Sequence, residues 1–144
     1  MKDIALKQQK LISVFNKLSR SLASYDLNLV RECYHLPCTL STPDNVMLLN
    51  NEDDFNQAYQ AIFQQLKDAK LSSFKMLNSS FQSITEELLL VNVDWQFFSE
   101  DEQLITDFTA IYHMIFANEQ YQIMNVVSQD MSQSLVLNQT LTFK

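Results

Sequence analysis

The sequence predicts an α+β fold in which helices cover one face of a curved antiparallel sheet. The first third of the chain carries apolar residues at helical spacing, whereas the stretch from Glu87 to Val127 alternates as long strands do. No repeat, linker or low-complexity tract divides the 144 residues. We therefore expect a single domain over residues 1–144, with 132–144 as a tail or an extra edge strand.

The first predicted element is a long helix from about Asp3 to Tyr25. Its apolar stripe recurs at spacings of four and three residues and consists of Leu11, Phe15, Leu18, Leu22 and Tyr25. Asp26 can cap a second, shorter helix through Tyr34, because its side chain can accept the free N–H groups of the next turn. Pro37 prevents that helix from continuing.

A short hairpin and a third helix come next. Leu36 to Thr42 and Val46 to Asn50 flank the turn residues Pro43-Asp44-Asn45 and read as its two strands. Asn51 is the expected N-cap of the helix, and acidic residues fill its first turn. Its buried stripe consists of Phe55, Tyr59, Ile62 and Leu66.

The rest of the chain predicts long antiparallel strands at Ser72 to Thr85, Leu88 to Phe98, Leu104 to Ala117 and Tyr121 to Gln129. If Phe98 pairs with Leu104, then Val91 faces Ile111, and odd-numbered residues of both strands point toward the helices. This register places Trp95, Asp107, Ile111 and His113 on the inner face, with Met124 from the next strand. It places Phe108, Tyr112, Met114 and Phe116 on the outer face.

Composition excludes several classes of function. The net charge is −7 and the basic residues form no stripe, which argues against nucleic acid as a partner. No apolar run is long enough for a membrane span, and no signal peptide is visible, so we expect a cytoplasmic protein. Cys33 and Cys38 fit reduced thiols there at least as well as a disulfide. The sequence contains no glycine, which removes the phosphate-binding loops and nucleophile elbows that depend on it.

Neither a metal nor another cofactor is expected. Cys33, His35 and Cys38 are residue types that bind zinc, but their spacing matches no common zinc motif and no fourth ligand is near.

The order of elements resembles the nuclear transport factor 2-like superfamily, which includes ketosteroid isomerase and SnoaL-like polyketide cyclases. The resemblance spans residues 3 to about 130, and it rests on the helix ending at Tyr25-Asp26, the segment His35-Leu36-Pro37, the strand Val91 to Trp95 and the strand Ala110 to Ala117. It implies a cone-shaped sheet wrapped around the long N-terminal helix, with a pocket open at one end. It also implies dimers formed sheet to sheet.

The resemblance places the catalytic positions of ketosteroid isomerase at Leu18, near Thr42 and at Ile111. None of these side chains can serve as a general base or donate a proton to an oxyanion, so no catalytic residue is assigned. Asp107 and His113 are the titratable residues on the expected inner face, about 20 Å apart along the strand, and therefore cannot form a dyad.

Three alternative functions are compatible with these observations: a pocket protein that binds a small apolar or amphipathic molecule without catalysis, a protein-interaction module that acts through the sheet face, and an enzyme of cyclase or isomerase type. For the first, the expected ligand-binding residues are Phe15, Leu18, Tyr59, Trp95, Asp107, Ile111, His113 and Met124. We also expect a homodimer, because the apolar residues Phe108, Tyr112, Met114 and Phe116 would otherwise leave a large bare patch on the outer face.

Overall fold

The structure, a computed structural model, describes residues 4–143. The predicted helix start at Asp3 and the last residue, Lys144, lie outside the described part. The described helices are α1 (Ile4–Ser24), α2 (Leu27–Glu32) and α3 (Glu52–Asp68), with a 3₁₀ turn at Met131–Gln133. The described strands are β1 (Tyr34–Thr42), β2 (Asn45–Leu49), β3 (Leu71–Ser83), β4 (Leu88–Ser99), β5 (Leu104–Ala117), β6 (Gln120–Gln129) and β7 (Gln139–Thr140).

The helix starts are fixed by the predicted caps. The Asp26 side chain accepts a hydrogen bond from the backbone N–H of Leu29 at 3.0 Å, and Asn51 accepts one from Asp54 at 2.9 Å. The second helix ends at Glu32, two residues before the predicted end, because Tyr34 already belongs to β1. This difference moves the Tyr34 side chain from a helix onto the sheet.

The described strands form one seven-stranded sheet in the order β2-β1-β6-β5-β4-β3-β7. All neighbours are antiparallel except β1 and β6, which run parallel. The stripe of α1 packs on the inner face of the sheet, where Leu11, Phe15 and Leu18 join a core that includes Val91, Val93 and Trp95. The predicted α+β cone is confirmed.

The predicted register between β4 and β5 is wrong. Phe98 does pair with Leu104, but Phe97 pairs with Thr106, so Ile105 is an extra residue in a β-bulge. From Thr106 onward, each β5 residue that faces a given β4 residue is one position later than predicted, so Val91 faces Tyr112 instead of Ile111. Because side chains alternate between faces, this single extra residue inverts the whole of β5.

The inversion exchanges the two faces that the sequence analysis assigned to β5. Phe108, Tyr112, Met114 and Phe116, expected on the outer face, point toward the core, and Tyr112 and Met114 are buried there. Placing them in an outer dimer interface was therefore wrong. The inverted arrangement buries an apolar set and leaves Asp107 and His113 exposed on the outside, which avoids desolvating a carboxylate and an imidazole.

A second bulge lies between β5 and β6. His113 pairs with Asn125 and Met114 with Ile123, so Met124 is the extra residue. Val126 pairs with Tyr112 and is buried on the inner face.

The C-terminal segment crosses the sheet. Ser134 Oγ donates to Asp94 Oδ1 at 2.7 Å on the outer face, and β7 then pairs with β3 at the sheet edge. Beyond that edge Leu141 is buried, and the ring of Phe143 lies edge-on to Phe15 with centroids 5.9 Å apart. Within the tail, Gln139–Thr140 therefore form an edge strand, and Leu141 and Phe143 join the core.

No helix within residues 4–143 is long and apolar enough to cross a membrane.

Candidate functional site

An apolar cavity of about 410 Å³ lies between α1, α3 and the inner face of the sheet. Volumes of this order are typical of small-molecule pockets. Leu18 and Leu22 of α1 and Tyr59, Ile62 and Leu66 of α3 form one wall. The opposite wall consists of Tyr34, Leu40, Met47, Trp95, Phe97, Phe108, Tyr112 and Val126.

Aromatic rings pack against one another in the sheet wall of this cavity. The rings of Trp95 and Phe97 lie 5.9 Å apart in an edge-to-face arrangement, and those of Phe97 and Phe108 lie 5.3 Å apart. Interlocked rings of this kind hold one another in place and contribute more than their buried area alone. A ligand in the cavity would meet an apolar surface of ring edges and faces.

Three tyrosine hydroxyls are the polar groups in the buried part of the cavity. The hydroxyls of Tyr34 and Tyr59 are hydrogen-bonded to each other at 2.5 Å. The indole Nε1 of Trp95 donates to the Tyr112 hydroxyl at 2.9 Å. All four side chains are buried and line the cavity.

These phenols stay protonated across the physiological range. Burial raises the pKa of Tyr34 well above its ordinary value, and the neighbouring phenols add to that shift. Burial likewise raises the pKa of Tyr59 and Tyr112, and in each the hydrogen bond to its partner offsets part of the effect. Each hydroxyl therefore carries a proton.

Two of these protons have no acceptor among the described residues. Tyr34 and Tyr59 hold two protons between them, and their mutual bond uses one. Tyr112 acts as acceptor toward Trp95, which leaves its own proton unused. The cavity therefore presents two O–H donors in apolar surroundings, where an unmade hydrogen bond is costly.

No Asp, Glu, Lys, Arg or His among residues 4–143 lines this cavity. The remaining polar groups are Ser41, Thr42, Asn45, Gln65 and Ser128, of which Thr42, Asn45 and Gln65 are exposed and mark the mouth. The lining therefore contains no group that accepts or releases a proton near neutral pH.

Three of the residues predicted to bind a ligand do line this cavity: Leu18, Tyr59 and Trp95. Phe15 is not among the lining residues. Its side chain is 0% exposed and lies edge-on to Tyr112, with ring centroids 4.9 Å apart, so it supports the wall from behind.

The other predicted binding residues lie away from the cavity. Asp107, Ile111 and His113 point to the outer face because of the bulge at Ile105, and placing them in the pocket was wrong. His113 is exposed, and its Nδ1 lies 3.1 Å from Asn125 Nδ2. Met124 is the bulged residue of β6 and does not line the cavity.

Sequence reasoning missed Tyr34 and Tyr112 as site residues. Tyr34 was assigned to a helix, although its position directly before an alternating segment was compatible with the start of a strand. Tyr112 was assigned to the outer face through the unbulged register. The available signal was composition: Phe108, Ala110, Tyr112, Met114 and Phe116 carry no charge, whereas the alternative face of β5 includes Asp107 and His113.

The two cysteines are free, buried thiols. Burial raises the pKa of Cys33 to about 12 and that of Cys38 to about 11, so both remain protonated and weakly nucleophilic at neutral pH. Among the residues that the structure describes, no group of three or more His, Cys, Asp or Glu side chains could hold a metal ion.

Comparison with known proteins places this geometry in context. A family model described as "NTF2-like protein (DUF6841)" matches residues 9–131. No curated protein matches the chain.

Many solved structures share the fold. An NTF-2 like protein of unknown function from Shewanella oneidensis is 12% identical, with a TM-score of 0.69 over 85% of this chain and 98% of that one. A Nostoc punctiforme protein with a cystatin-like fold is 11% identical, with a TM-score of 0.72 over 90% and 94%. An NTF2-like superfamily protein from Salmonella enterica is 12% identical, with a TM-score of 0.66 over 88% and 92%. At these identities the likeness concerns the fold alone.

Proposed function

The chain belongs to the NTF2-like family DUF6841, and from its cavity we propose that the protein binds a small neutral molecule that has an apolar body and at least one hydrogen-bond acceptor oxygen. The observation that carries this proposal is the pair of unused hydroxyl protons, one on Tyr112 and one on the Tyr34–Tyr59 pair, inside an apolar cavity. A carbonyl or ether oxygen is the simplest group that would accept them.

The lining supports a neutral ligand. A carboxylate or ammonium group would lose its hydration on entry and would find no opposite charge among the described lining residues. The aromatic wall of Trp95, Phe97 and Phe108 instead favours an apolar body. The proposed ligand is therefore uncharged at neutral pH.

The same lining favours binding over acid–base catalysis. A general base must accept a proton near the working pH, and the tyrosines that could take part have pKa values raised by burial. An isomerase or cyclase of the related type would need such a base. We therefore propose a binding protein, with an enzyme as the alternative that turnover of the bound molecule would reveal.

The test uses two probes of matched shape, acetophenone and ethylbenzene, which differ in the carbonyl oxygen. We expect acetophenone to bind about tenfold or more tightly, because one satisfied hydrogen bond in an apolar site contributes about 1.4 kcal/mol. Titration followed by NMR should shift the indole N–H resonance of Trp95, which lies in the cavity wall.

Tyr112→Phe should reduce the preference for acetophenone, because it removes one of the two unused hydroxyl protons. Tyr25→Phe is the matched control. The Tyr25 hydroxyl donates to the Leu71 carbonyl at 3.4 Å, and Tyr25 does not line the cavity. Equal binding of the two probes would contradict the donor role of the tyrosines. No shift of the Trp95 resonance with either probe, up to its solubility, would contradict the proposed site.

We also propose that a second copy of the chain covers part of the outer sheet face. After correction of the register, this face carries the partly exposed aliphatic residues Leu88, Leu90, Ile111, Ile115 and Val127, called here the outer patch. These side chains lie on three adjacent strands, with Ile111 paired between Asn92 and Val127. A two-fold axis would bring the patch against itself.

The test of this interface is the oligomeric state of Ile111→Lys at about 50 μM, measured by analytical ultracentrifugation. We expect a dimer for the unmodified chain and a folded monomer for the variant, because a charge at a buried interface is costly. Val46→Lys on the exposed edge strand β2 is the control and should remain a dimer. A monomeric unmodified chain would contradict the dimer and would leave the outer patch free for a different protein.

A cytoplasmic location is part of the proposal. Its support is that Cys33 and Cys38 are both unpaired thiols, as is usual in a reducing compartment.

A further inference from the structure

A second cavity, of about 330 Å³, lies at the opposite end of the long helix. Its walls come from the first turns of α1, the loop between β3 and β4, and the adjoining ends of β5 and β6. It shares no lining residue with the first cavity, so a ligand site at this end of the molecule is independent of the proposed function.

Tyr121 provides an unused donor in this second cavity. The residue is 3% exposed, and its hydroxyl has no hydrogen-bond partner among residues 4–143. Burial, and in second place the negative charge of Glu86, raises the pKa of Tyr121, so the hydroxyl keeps its proton. The hydroxyl oxygen is accessible from the cavity, because it is not among the fully buried side-chain atoms without a partner. A ligand oxygen in the cavity can therefore accept this proton.

Two lysines line the same cavity. Lys7 is 9% exposed, and its Nζ donates to Ser83 Oγ at 2.8 Å. Lys10 Nζ donates to the backbone carbonyl of Glu119 at 3.4 Å and lies 5.5 Å from the centroid of the Phe116 ring. Within the described chain neither ammonium group forms a salt bridge, so both keep N–H donors for an anion.

The rim restricts the charge of that anion. The exposed carboxylates of Glu86 and Glu87 also line the cavity and balance the two lysines. They repel a dianion such as phosphate more strongly than a single carboxylate, for which Lys7, Lys10 and the Tyr121 hydroxyl are the donors in the same lining. The rest of such a molecule needs an apolar surface. The Phe116 ring, which packs edge-on to Tyr121 at 5.2 Å, provides that surface.

We propose that this cavity is a second binding site, selective for a small monocarboxylate with an aromatic or aliphatic body. Its carboxylate accepts hydrogen bonds from the Tyr121 hydroxyl and the two ammonium groups, and its body packs on Phe116. This is the opposite selectivity to that of the first cavity, which contains no cation among its described lining residues.

Benzoate is the probe and benzamide is its neutral analogue of the same shape. We expect benzoate to bind at least about tenfold more tightly in calorimetric titration, and only its affinity should fall as the salt concentration rises. The backbone amide resonances of Phe116 and Tyr121 should shift on addition of benzoate. The Trp95 indole resonance should remain unchanged.

Tyr121→Phe should weaken benzoate binding about tenfold without lowering the melting temperature, because it removes a hydroxyl that no described residue contacts. Lys10→Gln should weaken it to a similar degree. Lys17→Gln is the matched control, since it removes the same charge from the same helix at a residue paired with Glu32 and should leave benzoate affinity unchanged.

Several results would overturn this site. They are unchanged benzoate affinity in Tyr121→Phe, equal binding of benzamide, tighter binding of inorganic phosphate than of benzoate, or benzoate-induced shifts at Trp95 in place of Phe116. Because Tyr121→Phe leaves the first cavity intact, acetophenone binding should be the same in this variant. The two proposed sites are therefore tested independently.

Discussion

The Trp95–Tyr112 hydrogen bond joins β4 and β5 across the inner face of the sheet. Both side chains are buried, so the indole N–H finds no water if its acceptor is removed. The bond therefore supports the fold as well as the cavity wall. Its two roles can be separated, because stability and ligand selectivity are measured independently.

Tyr112→Phe should lower the free energy of unfolding by about 1–3 kcal/mol, the usual cost of leaving a buried donor unpaired. Urea denaturation would measure this loss of stability. Tyr25→Phe is the control, because Tyr25 is a partly buried tyrosine. Adding Trp95→Phe should cost less in the Tyr112→Phe background than in the unmodified chain, because the donor is then already unpaired. Strictly additive losses would contradict the importance of this bond.

His113 was predicted on the inner face of the sheet and lies on the outer face. Because its imidazole is exposed on the outer face, His113→Gln should change the free energy of unfolding by no more than about 0.5 kcal/mol. Acetophenone affinity should be unchanged, as measured by the same titration that tests the first cavity. A loss of binding in this variant would require His113 to face the cavity after all.

At the level of elements, local sequence signals predicted well where helices and turns begin and which kind of element each segment forms. Asp26 and Asn51 cap their helices as expected, and the turn between β1 and β2 lies at the predicted position. These features depend on neighbouring residues, so a single sequence reveals them. The bulge at Ile105 depends instead on how two strands compete to bury their side chains, which no local motif encodes.

The candidate site divides in the same way. Leu18, Tyr59 and Trp95 were predicted because helix stripes and the β4 alternation are local patterns. Tyr112 was missed because its orientation depends on an extra residue several positions away. Weighing the apolar content of both β5 faces against each other would have favoured the observed register.

The C-terminal segment contributes to the core although most of it lies on the surface. Leu141 is 2% exposed, whereas Val136, a few residues earlier, is 94% exposed. Leu141→Ala should cost about 2–5 kcal/mol, since it removes a buried side chain and leaves a cavity. Val136→Ala is the matched control and should change the free energy of unfolding by less than about 0.5 kcal/mol.

Both variants can be compared by urea denaturation and by the rate of proteolysis within 130–143. If Leu141→Ala is as stable as Val136→Ala, the end of the chain does not belong to the core. Retained stability with faster proteolysis would indicate a segment that detaches while the Ser134–Asp94 contact and the rest of the sheet remain folded.

For the molecule as a whole, the buried phenols predict alkaline sensitivity. The pKa of each of Tyr34, Tyr59 and Tyr112 is raised by burial, so the unfolded chain loses these protons first as the pH increases. Their protonation contributes to the free energy of unfolding in full below about pH 10. Above that pH the contribution falls by about 1.4 kcal/mol per pH unit for each phenol.

The two buried thiols also lower the free energy of unfolding as the pH rises above about 9, the ordinary range of a cysteine pKa. Urea midpoints at pH 7, 9, 10 and 11 should therefore fall with increasing steepness. The slope above pH 10 should be shallower in Tyr112→Phe, which removes one of the titrating groups. A constant midpoint up to pH 11 would show that these groups are not buried in solution.

The bulge at Ile105 also affects how residues are compared between relatives of this fold. Because one extra residue decides which face of β5 points inward, two chains that differ by a single insertion near the β4–β5 turn present opposite faces at the same alignment column. A catalytic aspartate in one chain can then align with an outward residue such as Ile111 in another. Functional positions on this strand are therefore transferable only after the insertions and deletions around the turn have been counted.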